Sequence, residues 1–263
     1  MRTSLFATTI ALLLSSPAAG LPPADTAAVQ ALLDQGRGAD ALKRLDAALT
    51  KNPNDAAALR LRASARFMEG EFEAGKADLE RCLALDPGQR QAWLDRAGVA
   101  IAEERYAAAL TDLGRARELD PAALDNDLNE GAVLLLLGRL GEASSRFERY
   151  LERSGANAEA FYLVATNYAG RGYGALAATH LARAVALDER ARLRARTDPN
   201  FEAIAQQADF RNLLERDDYR PPAGAQQTRR SFPGRYDAST GPLLLALLDA
   251  LRAANEKCEP RVV

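Results

Sequence analysis

Reactive side chains are scarce in this chain. Its 263 residues include one histidine, His180, one tryptophan, Trp93, and two cysteines, Cys82 and Cys258. A lone histidine has no second ligand beside it, and two distant cysteines offer no zinc spacing. A serine–histidine–acid triad would have to use His180, and no strained nucleophile turn accompanies it. Two cysteines do not make a disulfide framework. An exported setting permits a Cys82–Cys258 bridge only if the tail folds back. The formal net charge of −2 gives no electrostatic reason to expect nucleic acid or an anionic membrane. Residues 70–77, GEFEAGKA, approach a phosphate loop, but Ala77 stands where a metal-binding hydroxyl is needed and a helical pattern precedes it instead of a strand. Gly170, Gly172 and Gly174 have the wrong spacing for a dinucleotide loop and read as a loose joint. Carboxylate pairs such as Glu103-Glu104 are ordinary on solvated helices. The expectation is a chain without catalysis, metal or cofactor.

What is present is a period. Pro53, Pro87 and Pro121 stand 34 residues apart. The same interval links Ala41, Gly75, Ala109, Ala143 and Ala177, and also Leu45, Leu79, Leu113, Phe147 and Leu181. Val29, Ala63, Ala97, Gly131 and Ala165 make a further register. Small residues let two helices approach closely. The leucine register lies one turn further along the same face and fills the space between hairpins. Gly36, Gly70, Gly138 and Gly172 fall between the helices, where a left-handed C-cap is wanted. Glu104 holds that place in the third copy. The prolines end each second helix. His180, one position before Leu181, is expected off the packed face, and Cys82, in register with Ala48, Ala116 and Ala184, reads as a small buried residue.

In the third copy Trp93, Ala97, Tyr106, Ala109, Ala116 and Pro121 sit at signature positions, and the chain here resembles the tetratricopeptide repeat family. The resemblance covers residues 22–191 in five copies that begin at Pro22, Ala56, Arg90, Leu124 and Ala158. Arg62, Arg96 and Glu130 depart from it, since they occupy a position the family gives to leucine. Gly155 and Glu189 replace the terminal proline. The resemblance implies an all-α, right-handed α-solenoid of about five helix-turn-helix repeats.

Met1-Arg2, an apolar run over residues 5–14 and small residues up to Gly20 predict a secretory signal peptide over residues 1–20. The run is too short to span a bilayer comfortably. Export to the periplasm or the extracellular space follows, without stable membrane insertion. The solenoid occupies residues 21–191. A cap follows over residues 192–216, because a solenoid exposes its last hairpin unless something covers it. There Asp198 and Pro199 start a helix, and Phe201, Ile204, Phe210, Leu213 and Leu214 share an apolar face. Arg190, Arg192, Arg194 and Arg196 read as a solvated face. Residues 217–241, rich in proline, glycine and glutamine, make a linker. Residues 242–257 make an amphipathic helix with a stripe of Leu244, Leu247, Leu248 and Leu251.

The family resemblance puts the first helices along a concave groove. Its expected peptide-binding residues are Arg60, Phe67, Leu94, Ile101, Leu128, Leu135 and Tyr162, beside Ser64, Met68, Gln91, Ala132, Leu136 and Thr166. No lysine and asparagine set for a peptide carboxylate is present. The lining suits an amphipathic helix or an extended apolar segment. The expected function is an interaction scaffold of the cell envelope that binds another protein or peptide, with its own terminal helix folding back as an autoinhibitor. The alternative is a non-catalytic accessory subunit of an envelope enzyme or a secretion complex.

Overall fold

Apolar residues recur at helical spacing here, and one local device stops each first helix. The computed structural model describes residues 20–215. The expected signal peptide, the linker and the terminal helix lie outside the described residues. The described residues are all α, with no strand: α1 Pro23–Asp34, α2 Gly38–Lys51, α3 Ala56–Met68, α4 Phe72–Leu85, α5 Arg90–Ala102, α6 Tyr106–Leu119, α7 Asp125–Leu136, α8 Leu140–Arg153, α9 Ala158–Ala169, α10 Gly174–Leu187, α11 Arg190–Ala195, a 3-10 turn Pro199–Ile204 and α12 Ala208–Glu215. Successive pairs from α1 to α10 are the five predicted hairpins, and the architecture is an all-α solenoid of repeats.

The turn inside each hairpin is the same Schellman motif. Gly36 N donates to Leu33 O at 2.9 Å and Arg37 N to Leu32 O at 2.9 Å. Gly70, Gly138 and Gly172 repeat this pattern with positive φ, and Glu104 adopts it at φ 58°. Its N–H still reaches Ile101 O at 3.0 Å, and Arg105 N reaches Ala100 O at 2.7 Å. A side chain in this left-handed region costs about 1–2 kcal/mol. Where proline is missing after α8, a second device takes over. Gly155 and Ala156 both turn left-handed, at φ 75° and 48°, and Ala156 N bonds Leu151 O at 2.8 Å.

The chain forms two compact units, one through Asp86 and one from Pro87. In the first, Leu45, Leu59, Leu61 and Leu79 are buried among α1–α4. Asp55 caps α3 by accepting from Ala58 N at 3.0 Å, and Leu21 N also donates to its carboxylate. In the second, Leu94, Ala97, Leu113 and Val133 form one core cluster. Phe147, Ala165, Tyr168 and Leu181 form another with Phe201, Ile204 and Phe210 of the last segment.

The three residues that depart from the family leucine are explained by their partners. Arg62 in α3 makes two parallel bonds of 2.8 Å to Asp78 in α4, sixteen residues on. Arg96 in α5 does the same to Asp112 in α6, at 2.9 and 2.6 Å. In α7 and α8 the signs exchange: Glu130 faces Arg146 at 3.1 Å. A planar guanidinium on a carboxylate is a directional lock as well as a charge pair. The fifth hairpin replaces the pair by Val164, fully buried, and His180. His180 does not point away from the packing, as its register suggested. It stacks on Tyr168 at 5.4 Å and 17° and lies 6.1 Å from Phe161. Burial holds its pKa below the usual value, against the opposing charge of Glu148.

Candidate protein-binding face

The first helices carry the expected groove residues, and the structure places most of them inside. Phe67, Leu94, Ile101, Leu135 and Tyr162 are 4, 7, 6, 4 and 1 % exposed. This corrects the expectation of an open apolar lining through those five. Phe67 lies against Gly75, where an added Cβ would come within 2.5 Å of its ring, and against Phe72 at 6.4 Å. Leu94 and Ile101 pack with Ala97 and Ala109 in the α5–α6 core. Leu135 joins the cluster around Phe147.

Tyr162 is taken by the segment after the fifth hairpin. Its hydroxyl donates to Asp198 at 2.8 Å, the Arg194 guanidinium sits 3.9 Å from its ring centre, and Phe201 meets it edge-on at 5.6 Å. Burial and the bond to Asp198 push the phenol far above its usual pKa. Arg194 also reaches Glu159 at 2.6 Å. The arginines around α11 are therefore not one solvated face: Arg194 covers Tyr162, and Arg192 is only 8 % exposed. Gly174 is likewise no loose joint, since the Gln207 side chain occupies the space of its missing Cβ.

Of the seven expected anchors, Arg60 on α3, in the first unit, and Leu128 on α7, in the second, stay half-buried; of the residues beside them Met68 is exposed and Ser64, Gln91, Ala132, Leu136 and Thr166 are half-buried. Leu128 belongs to a strip. Every residue of α7 is buried except Leu128, Ala132 and Leu136. These stand four residues apart, so they rise one above another on a single helix edge. The strip is held from behind by buried charge. Asp127 is 1 % exposed and Glu130 6 %. Arg117 in α6 bonds both, at 2.8 and 2.6 Å, and Arg153 in α8 reaches Asp127 at 3.0 Å. Burial alone would raise the Asp127 pKa, but hydrogen bonds from Arg117 and Arg153 and the charge of Arg149 hold it below the usual range. Arg90 fixes the start of α7 through Asp125 at 2.5 Å and Asn126 at 3.0 Å. Together these charged and amide contacts set the rotation of α7, and that rotation turns the three apolar residues outward.

Sequence reasoning named Leu128, Ala132 and Leu136 among the groove positions but did not separate them from the neighbours that turn inward. The missed signal was the polar start of α7, Asp125, Asn126, Asp127, Asn129 and Glu130. Buried polar residues on a helix, four of them held by arginines of neighbouring helices, leave one edge for apolar side chains.

The fold with its alternating hairpins has clear structural neighbours. PilW, described as a widely conserved type IV pilus biogenesis factor, is 16 % identical and aligns with a TM-score of 0.57 over 72 % of this chain and 89 % of its own. PilF of Pseudomonas aeruginosa gives 20 %, 0.54, 73 % and 86 %. A thermophilic tetratricopeptide-repeat protein of Thermus thermophilus, TTC0263, gives 22 %, 0.53, 69 % and 97 %. This is the tetratricopeptide-repeat fold. No protein-family model and no curated protein matches the sequence. The tetratricopeptide-repeat hairpins here keep the turn and the small-residue contacts while three of them exchange the family leucine for an ion pair. Among the described residues no helix is long and apolar enough to cross a membrane.

Proposed function

We propose that the chain is a non-enzymatic scaffold that holds another protein, and that the docking edge is the α7 strip of Leu128, Ala132 and Leu136. The single observation behind this is the exposure pattern of α7, a helix whose every other side chain is buried. An apolar edge with residues at i, i+4 and i+8 matches an amphipathic helix or an extended apolar segment, which buries alternate or stacked anchors in such a trough. Fully burying one leucine side chain is worth about 1.5–3 kcal/mol, so two anchors give a useful affinity without any charged clamp. The apolar run over residues 5–14 supports an exported protein, and the scarcity of histidine and cysteine supports a role without chemistry.

The test is capture from an envelope fraction with the tagged full chain and with a Leu128→Asp/Leu136→Asp variant. The expected result is a partner recovered by the unaltered protein and reduced at least tenfold with the variant, while circular dichroism stays unchanged. Equal recovery by both proteins overturns the assignment of the docking edge.

A further inference from the structure

The largest apolar exposure in the described chain is at the end of the last hairpin and not on the first helices. Leu187 is 58 % exposed. It borders a cavity of about 420 Å³ whose walls are Ala182, Val185 and Ala186 of α10 and Leu213 of α12. Glu189 and Arg192, bridged at 2.8 Å, close one side. The α10 residues recur at three- and four-residue spacing, so they make one trough along the helix.

We propose that this trough seats the chain's own leucine stripe, Leu244, Leu247, Leu248 and Leu251. The described chain ends at Glu215, two residues beyond Leu213 in the trough wall. Residues 216–241 separate that wall from the stripe. A random-coil chain of that many residues has a root-mean-square span of about 25–30 Å, so the sequence between wall and stripe is long enough for the stripe to return. A span of that size keeps the stripe at roughly millimolar local concentration, above any free partner of similar chemistry. The stripe follows i, i+3, i+4, i+7, the pattern of a helix laid against an apolar trough. The other candidate seat is the expected groove, and most of its apolar lining is taken: Leu94, Ile101 and Leu135 are buried in the hairpins, Tyr162 is covered by Arg194, Asp198 and Phe201, and only the short α7 edge of Leu128, Ala132 and Leu136 stays accessible. The tail then extends the repeat stack at its carboxyl end and leaves the α7 edge open. The seating does not depend on whether α7 holds a partner.

The test uses the reduced, isotope-labelled full chain with a nitroxide on Cys258; Cys82 is 0 % exposed and takes no label. Amide signals of residues 182–189 and 208–215 should lose more than half their intensity, equally at high and low protein concentration. A Leu247→Asp/Leu248→Asp variant, altered outside the described core, should recover them at least twofold. Absence of broadening, or broadening on α5 and α7 instead, overturns the proposal. So does broadening that persists when nitroxide-labelled chains are mixed with separately isotope-labelled ones, because the occupant is then a second copy.

Discussion

The third and fourth hairpins share a backbone and oppose each other in two ways. In α5 and α6 the interhelix pair is Arg96 with Asp112, and the residues at the close-contact registers are Ala97 and Leu113. In α7 and α8 the pair is Glu130 with Arg146, and the registers hold Gly131 and Phe147. The larger ring of Phe147 fits only because Gly131 has no side chain: an added Cβ would come within 2.6 Å of it. Charge and volume are thus conserved within a hairpin and not at a position. Where a hairpin carries the ion pair, either order of the pair satisfies it.

The contrast breaks most severely by reversing one charge. Asp112→Arg sets two guanidinium groups against each other at a carboxylate site with 6 % side-chain exposure. The expected loss is about 3 kcal/mol, at the low end for a buried pair because Arg96 keeps 36 % of its side-chain surface in water. Adding Arg96→Glu should restore more than half of it in urea denaturation, since the third hairpin then copies the fourth. No recovery would mean that the order of charges matters after all.

The volume pair should give a smaller effect. Gly131→Ala forces Phe147 to shift and costs about 1–3 kcal/mol. With Phe147→Leu added, the fourth hairpin carries the pair of the third, and the double variant should be less destabilised than the sum of the singles. Additive losses would show that the two sites are not coupled.

Glu104 distinguishes the third hairpin's turn from the glycine turns of its neighbours. Glu104→Gly removes the left-handed strain but adds freedom to the unfolded chain, so a gain of about 0.5–1 kcal/mol is expected. A loss in thermal melts would mean that the Glu104 side chain contributes contacts worth more than its strain.

The smallest change concerns the fifth hairpin, where His180 stands in place of a charge pair. Its folded pKa lies below the ordinary 6.5, first because of burial. The unfolded state therefore binds the proton more tightly, and stability is complete above pH 6.5 and declines as pH falls from there toward the folded pKa. His180→Leu should flatten the stability–pH slope just below the ordinary histidine pKa. An unchanged slope would assign it to other groups.

The repeat and its turns are legible because they rest on local rules. Glycine or its substitute at the left-handed cap, small residues at the crossing and helical spacing of leucine need no knowledge of distant contacts, and the hairpins follow from them. The ion pairs are present in the sequence but easily misread. Arg62, Arg96 and Glu130 look like losses of leucine until Asp78, Asp112 and Arg146, of opposite sign and at constant separation, are set beside them. The expected groove fails for another reason. Whether Leu94 or Ile101 faces solvent depends on a small rotation of the helix, and Tyr162 is covered by Asp198 and Arg194, whose approach is a tertiary event. The α7 edge depends on both: buried salt bridges choose the rotation, and only the leftover edge meets water.

The reversal of charge between the third and fourth hairpins also bears on how the chain assembles. As the helices form, α6 has two neighbours of nearly equal shape, α5 and α7. Closing onto α7 as though it were its hairpin mate would bring Asp112 toward the carboxylate of Glu130, where α5 offers the guanidinium of Arg96. That one mispairing is thus repelled at the moment of docking, and α6 is steered to its own sibling by polarity.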